Sequence, residues 1–228
     1  MKGDGVKKGI YIIPNLFTSA SLFGGFYAIV AALDGNFYYA GVAILISFLL
    51  DGMDGKIARM TNTSSRFGME YDSLADLVAF GVAPAILIFT WALRPFGRFG
   101  WLAAFVYLVC GALRLARYNI QVETIESKSF NGLPTPAAAS LVATTVLLFT
   151  YYGGGDGTTK HITILLFTFL LAYLMVSNIK YHSFKEVDLS KRRPFMVLVG
   201  IILLLIIIVQ EPHIMLFLLT LGYIMSGP

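Results

Sequence analysis

The chain has 228 residues, of which 57% are hydrophobic, 14% aromatic and only 13% charged. Water-soluble domains carry about 25% charged residues, so this composition excludes an ordinary soluble domain, a disordered chain and a fibrous repeat. A mean hydropathy of +0.75 and a formal net charge of +4 fit a polytopic membrane protein whose basic side faces an anionic leaflet, and no nucleic-acid partner is needed to account for the charge. The single cysteine, Cys110, rules out an intramolecular disulfide and reads as a packing residue.

Eight apolar stretches follow in chain order: Asn15–Leu33, Asn36–Met60, Phe67–Leu93, Phe99–Tyr118, Pro134–Tyr152, Lys160–Tyr181, Pro194–Val209 and Pro212–Met225. A helical span needs about 20 residues, so the pattern predicts an all-α membrane protein of about eight transmembrane helices. The last two stretches are short, and the number falls to six if they are re-entrant or peripheral. Turn residues punctuate the breaks, as at Asp34-Gly35-Asn36 and Glu211-Pro212. The whole of 1–228 reads as one membrane domain.

Orientation follows from the basic residues. With the N-terminus inside, only Arg94, Arg98 and Lys160 of the 17 Lys and Arg lie on the outer side. Both termini are then expected in the cytoplasm, in a protein of the cell membrane surrounded by membrane lipid.

The chemistry is concentrated in the second and third stretches. Asp51 and Asp54 are spaced i, i+3, and Asp72 and Asp76 are spaced i, i+4, so each pair shares one helix face. Acids inside apolar helices are costly and mark functional sites. In an antiparallel hairpin the two pairs come level near the cytoplasmic end, at about 1.5 Å per residue. Converging carboxylates need a counter-charge, and all-oxygen ligation suits one or two Mg²⁺ or Mn²⁺ ions. Gly55 and Ala58 continue the first face and allow close approach of a helix or ligand. Arg59 can fork onto phosphate oxygens.

The run D-x-x-D-G-x-x-A-R-x8-G-x-x-x-D-x-x-x-D, Asp51 to Asp76, is matched here at every fixed position and resembles the signature of the CDP-alcohol phosphotransferases. That resemblance implies transfer of a substituted phosphate from a CDP-activated donor to an alcohol, with release of CMP. It further implies that Asp51, Asp54 and Asp72 hold metal, that Asp76 is a further ligand or the general base, and that Gly55, Ala58 and Arg59 line the CDP pocket. Asp51 also borders the CDP-diacylglycerol site, and Gly68 permits close approach at the start of the third helix. Asn15 and Thr18 resemble a family element near the nucleotide; their alternative is a helix start with an ordinary polar cap.

Three further runs look like the bacterial and archaeal integral-membrane phosphatidylserine synthases: Gly111 to Asn119, the turn Asn131-Gly-Leu-Pro134-Thr-Pro136, and Lys191-Arg-Arg-Pro194-Phe195. The resemblance spans about 14–195 and leaves 196–228 as extra C-terminal hydrophobic helices. It implies CDP-diacylglycerol and L-serine as substrates and suggests a homodimer. Serine's carboxylate needs a cation, and Arg114 and Arg117, spaced i, i+3, are candidates, with Asn131 shaping an acceptor loop. The alternatives for these arginines are snorkelling positive-inside residues or ligands of the donor phosphate. Rival functions are a phosphatidylglycerophosphate or phosphatidylinositol-phosphate synthase of the same family, which needs a second anion site, and an ion-coupled transporter. Transporters place coupling acids near the midplane between repeated halves, whereas here the acids gather near one surface.

Overall fold

The computed structural model describes residues 12–60, 66–124, 130–153, 162–181 and 210–227. Helix α1 (Ile12–Leu33) and α2 (Phe37–Met60) form an antiparallel pair joined by a turn at Asp34–Asn36. In that turn Gly35 takes φ +78°, a left-handed conformation that costs glycine little. Helix α3 (Arg66–Asp76) runs on through a π-helical turn (Leu77–Val82), α4 (Ala83–Ile88), a second π turn (Phe89–Leu93) and a short 3₁₀ turn (Arg94–Phe96), so that 67–96 forms one rod of 30 residues. Proline 84 helps to explain the first irregularity. It has no N–H for the carbonyl of Phe80, and that carbonyl instead accepts a hydrogen bond from the Tyr107 hydroxyl at 3.3 Å.

Helix α5 (Arg98–Thr124), the two-residue strand β1 (Phe130–Asn131), α6 (Thr135–Tyr151), α7 (Ile162–Val176), strand β2 (Lys180–Tyr181) and α8 (Pro212–Met225) complete the described chain. The strands pair antiparallel, Phe130 with Tyr181 and Asn131 with Lys180. The sequence places a span over Lys160–Tyr181, but α7 ends at Val176 because the following residues are drawn into this pairing. Ile179 and Leu174 offer their carbonyls to the amides of Gly132 and Leu133 at 2.9 Å each. Gly132, at φ +85°, passes so close to the carbonyl of Met175 that a side chain there would collide with it. Helix α5 runs six residues past the expected Tyr118. The stretch 194–209 lies outside the described residues.

Among the described residues, three helices, Asn15–Leu33, Phe67–Phe96 and Arg98–Ile120, are long and apolar enough to cross a membrane, and four shorter apolar helices accompany them. The core is rich in alanine: Ala28, Ala32, Ala40, Ala79, Ala83, Ala138 and Ala143 are all buried. Small residues let helices approach closely where lipid supplies no hydrophobic drive for association. Gly25 shows such an approach of backbone to backbone, since a Cβ there would lie 2.6 Å from the Cα of Ala79. Several buried hydroxyls are satisfied within their own helices, Thr168 and Thr145 donating to carbonyls four residues back at 2.8 and 2.6 Å. Large apolar side chains such as Phe23, Phe26, Leu49, Leu166 and Tyr173 point outward. An outward-facing apolar surface of this extent suits lipid rather than water. The chain is an integral membrane protein.

Candidate active site

The α1–α2 pair is locked by reciprocal bonds: the Ser21 hydroxyl donates to the Ser47 carbonyl at 3.1 Å, and Ser47 returns the bond to Ser21 at 3.0 Å. Helix α3 is tied to α1 by a 2.8 Å bond between the hydroxyls of Ser19 and Tyr71. It is tied to α5 by Ser73 and Asn119, whose amide nitrogen lies 2.9 Å from the serine oxygen. These ties bring the last turns of α2 level with α3. Carboxylate oxygens of Asp51, Asp72 and Asp76 gather there within 4.8 Å of one another, each residue partly buried.

Like charges at that separation repel by roughly 3–4 kcal/mol per pair at an effective dielectric of about 20. The donor set is made entirely of hard oxygens, and oxygens on one Mg²⁺ ion with bonds of 2.0–2.1 Å lie up to about 4.2 Å apart. The three aspartates therefore fit a divalent ion with a small closure of the cluster, or two ions sharing ligands. Asp54, Gly55, Ala58 and Arg59 lie on the same closing turns of α2, where the description covers the helical backbone but not their side chains. The register puts Asp54 and Ala58 on the Asp51 face.

The remaining candidates divide. Thr18 is buried in α1, and Asn15 and Gly68 are half-buried. Asn15 is not an N-cap, because α1 begins three residues earlier at Ile12; its carbonyl accepts from the Ser19 hydroxyl at 2.8 Å. Pro14 is tolerated in that first turn because the first amides of a helix have no carbonyl partner. Arg114 and Arg117 share a helix but not an environment. Arg114 is only 8% exposed, donates to the Thr135 hydroxyl at 3.0 Å, and has Asp76, Tyr118 and Tyr223 as electrostatic neighbours. Arg117 is exposed and reaches Asn178 at 2.9 Å. Asn131 lies in β1, beside the turn that leads to Thr135, and its side chain is outside the description. Sequence reasoning did not single out Thr135, Tyr181 or Tyr223. The available signal was a threonine wedged between Pro134 and Pro136 at a helix start.

A bundle of apolar helices with three acidic groups gathered at one end defines a membrane enzyme with an oxygen-donor site. The family model described as CDP-alcohol phosphatidyltransferase matches residues 11–176, and the chain belongs to that family. Among its relatives, the CDP-diacylglycerol–serine O-phosphatidyltransferase of Helicobacter pylori strain 26695 is 44% identical over 190 residues, covering 83% of this chain and 80% of the relative. The Bacillus subtilis protein of the same name is 38% identical over 174 residues, covering 76% and 92%. The archaetidylserine synthase of Methanothermobacter thermautotrophicus is 33% identical over 171 residues, covering 74% and 69%. Family membership makes the chain a transferase and sets aside the transporter reading.

Proposed function

We propose that the protein transfers the phosphatidyl group of CDP-diacylglycerol to the hydroxyl of L-serine, forming phosphatidylserine and CMP. The observation that carries this reading is the convergence of Asp51, Asp72 and Asp76 beside the buried Arg114. A carboxylate cluster meets the needs of a diphosphate donor, and an adjacent buried cation meets those of a small anionic acceptor. The names of the relatives support serine over glycerol phosphate or inositol phosphate as that acceptor.

In this reading Asp51, Asp54 and Asp72 hold one or two Mg²⁺ or Mn²⁺ ions, with Asp76 at the edge of the set. When bound, the ions supply charge compensation for the diphosphate and for the departing CMP. Arg59 grips phosphate oxygens as a planar fork, while Gly55, Ala58 and Gly68 leave room for the nucleotide, with Asn15 and Thr18 at its border. Asp76 accepts the proton of the serine hydroxyl as the new oxygen–phosphorus bond forms and the bond to CMP breaks. That role is normally worth about 10²–10⁴ in rate. Arg114 supplies the cation for the serine carboxylate, and Arg117 and Asn131 flank the approach. The site opens to the cytoplasm of the cell membrane, in keeping with the distribution of basic residues, and the working form is a homodimer, as the family resemblance implies.

The test is CMP release by detergent-purified protein given CDP-diacylglycerol, Mg²⁺ or Mn²⁺ and a panel of acceptors. Serine is expected to dominate. Faster release with glycerol 3-phosphate or an inositol phosphate would overturn the acceptor assignment, and full activity after chelation would overturn the metal mechanism.

A further inference from the structure

Helix α8 lies beyond the matched residues 11–176, and nothing in its composition suggests a task other than filling the membrane. Its packing suggests otherwise. It runs antiparallel to α6, with the Thr144 and Thr220 hydroxyls 3.0 Å apart at mid-length and His213 against Tyr151 at the far end, ring centroids 4.4 Å apart. This register delivers Tyr223 to the end of the bundle that holds the aspartates. The Tyr223 ring lies 6.0 Å from that of Tyr181 in β2, and its hydroxyl is an electrostatic neighbour of Arg114. Gly227, just after α8, passes so close to the Tyr181 ring that a side chain there would collide with it.

Two polar atoms on this path are buried and, among the described residues, find no hydrogen-bond partner: Arg114 Nε and the Tyr181 hydroxyl. Arg114 is 8% exposed and Tyr181 is 1% exposed. Buried donors of this kind are rare in folded proteins and call for an explanation. Both are N–H or O–H donors; the Tyr181 ring packs against Tyr223, and Arg114 has Tyr223 and Asp76 as electrostatic neighbours. Both are donors of the kind that an anionic group accepts from.

We propose that α8 completes the acceptor pocket, with Tyr181 and Tyr223 joining Arg114 to hold the anionic end of the acceptor, and with Thr135 acting as the positioning residue that sets the guanidinium. This rests on the proposed function above, under which the anionic end is the serine carboxylate. The acceptor's hydroxyl then points from Arg114 toward Asp76. Acceptor choice is thus made partly by a helix beyond the residues that the family model matches.

The test uses the full-length purified protein, with CMP release measured against acceptor and donor concentration. Tyr181→Phe and Tyr223→Phe keep the ring packing and remove only the hydroxyl. Each is expected to raise the KM for serine about tenfold, the usual size of a lost hydrogen bond to a charged group, with the KM for CDP-diacylglycerol nearly unchanged. Each should penalise serine more than L-serinol, which keeps the hydroxyl and amine but lacks the carboxylate. Thr135→Val should raise the serine KM, and Thr135→Ser should restore it. An unchanged serine KM in both Tyr→Phe variants, an equal penalty for serine and serinol, or parallel rises in donor and acceptor KM would overturn the proposal. If wild-type protein uses glycerol 3-phosphate and not serine, the serine reading falls while the same KM comparison, made on glycerol 3-phosphate, still decides the role of α8.

Discussion

The two halves of the candidate site are built differently. The carboxylate half comes from α2 and α3, adjacent in sequence, and its residues fall within 51–76. The Arg114 half is assembled from α5, the start of α6, β2 and the end of α8, so that residues as far apart as Arg114, Tyr181 and Tyr223 meet at one end of the bundle. A hairpin needs only local geometry to bring its charges level. The second half needs the whole bundle to close correctly, so its parts carry little meaning until they are seen together. The halves also differ chemically. One repels itself and calls for divalent cations; the other is a buried cation with hydroxyl donors and calls for an anion. Asp76 relates to both, as a member of the carboxylate cluster and as an electrostatic neighbour of Arg114.

The contrast can be broken at several points, the strongest first. Asp51→Asn or Asp72→Asn is expected to bring turnover to background while the protein still inserts and folds, because losing one ligand charge unbalances the site around its ions; CMP release alongside a thermal melt checks both parts. Next comes Asp76→Asn, with an expected loss of about 10²–10⁴ in rate and near-normal donor affinity if Asp76 is the base. A metal titration sharpens this case. Rescue of both rate and donor affinity at high Mg²⁺ or Mn²⁺ would make Asp76 chiefly a ligand.

On the other half, Arg114→Ala is expected to raise the serine KM by about 10–100-fold, with a much smaller effect on the donor. Equal effects would place Arg114 on the diphosphate or make it structural. Smaller again is a change of scaffold: Gly25→Ala forces a Cβ to within 2.9 Å of the Ala79 Cβ. It is expected to destabilise the fold by about 1–3 kcal/mol, read as a lowered melting temperature with the KM values little changed. The smallest effect is expected from Arg117→Ala. Its hydrogen bond to Asn178 is exposed, and exposed charged contacts are worth about 1 kcal/mol or less, so both KM values should stay within about fivefold. A large, serine-specific rise would restore Arg117 to the acceptor site.

How much of this was legible in the chain depended on range. The boundaries of α2 and α8 agree with the stretches read from the sequence to within a residue, because helices in lipid satisfy their own backbone within a single continuous segment. The end of α7 was not legible. Residues 177–181, Ser-Asn-Ile-Lys-Tyr, hold no proline or glycine that would stop a helix, and the pairing with Phe130–Asn131 is a long-range contact that the local sequence does not announce. Arg114 and Arg117 were also indistinguishable in sequence, both being basic residues near one end of the same helix. Packing of α6 against α5 buries one and leaves the other exposed, tied to Asn178.

By itself, then, the sequence determined the membrane class and the family, since composition and a contiguous motif are properties of local chain. It also determined that Asp51, Asp54, Asp72 and Asp76 would share helix faces, because 3.6 residues per turn allows no other outcome. Only the tertiary structure decided that Asp51, Asp72 and Asp76 meet within 4.8 Å and that Thr135 bonds Arg114. It alone decided that Tyr223, from a helix with no motif, stands beside Tyr181. These contacts depend on helix crossings and registers set by alanine and glycine interfaces such as Gly25 on Ala79, where the sum of many small packing terms selects one arrangement and no short stretch of sequence records the choice.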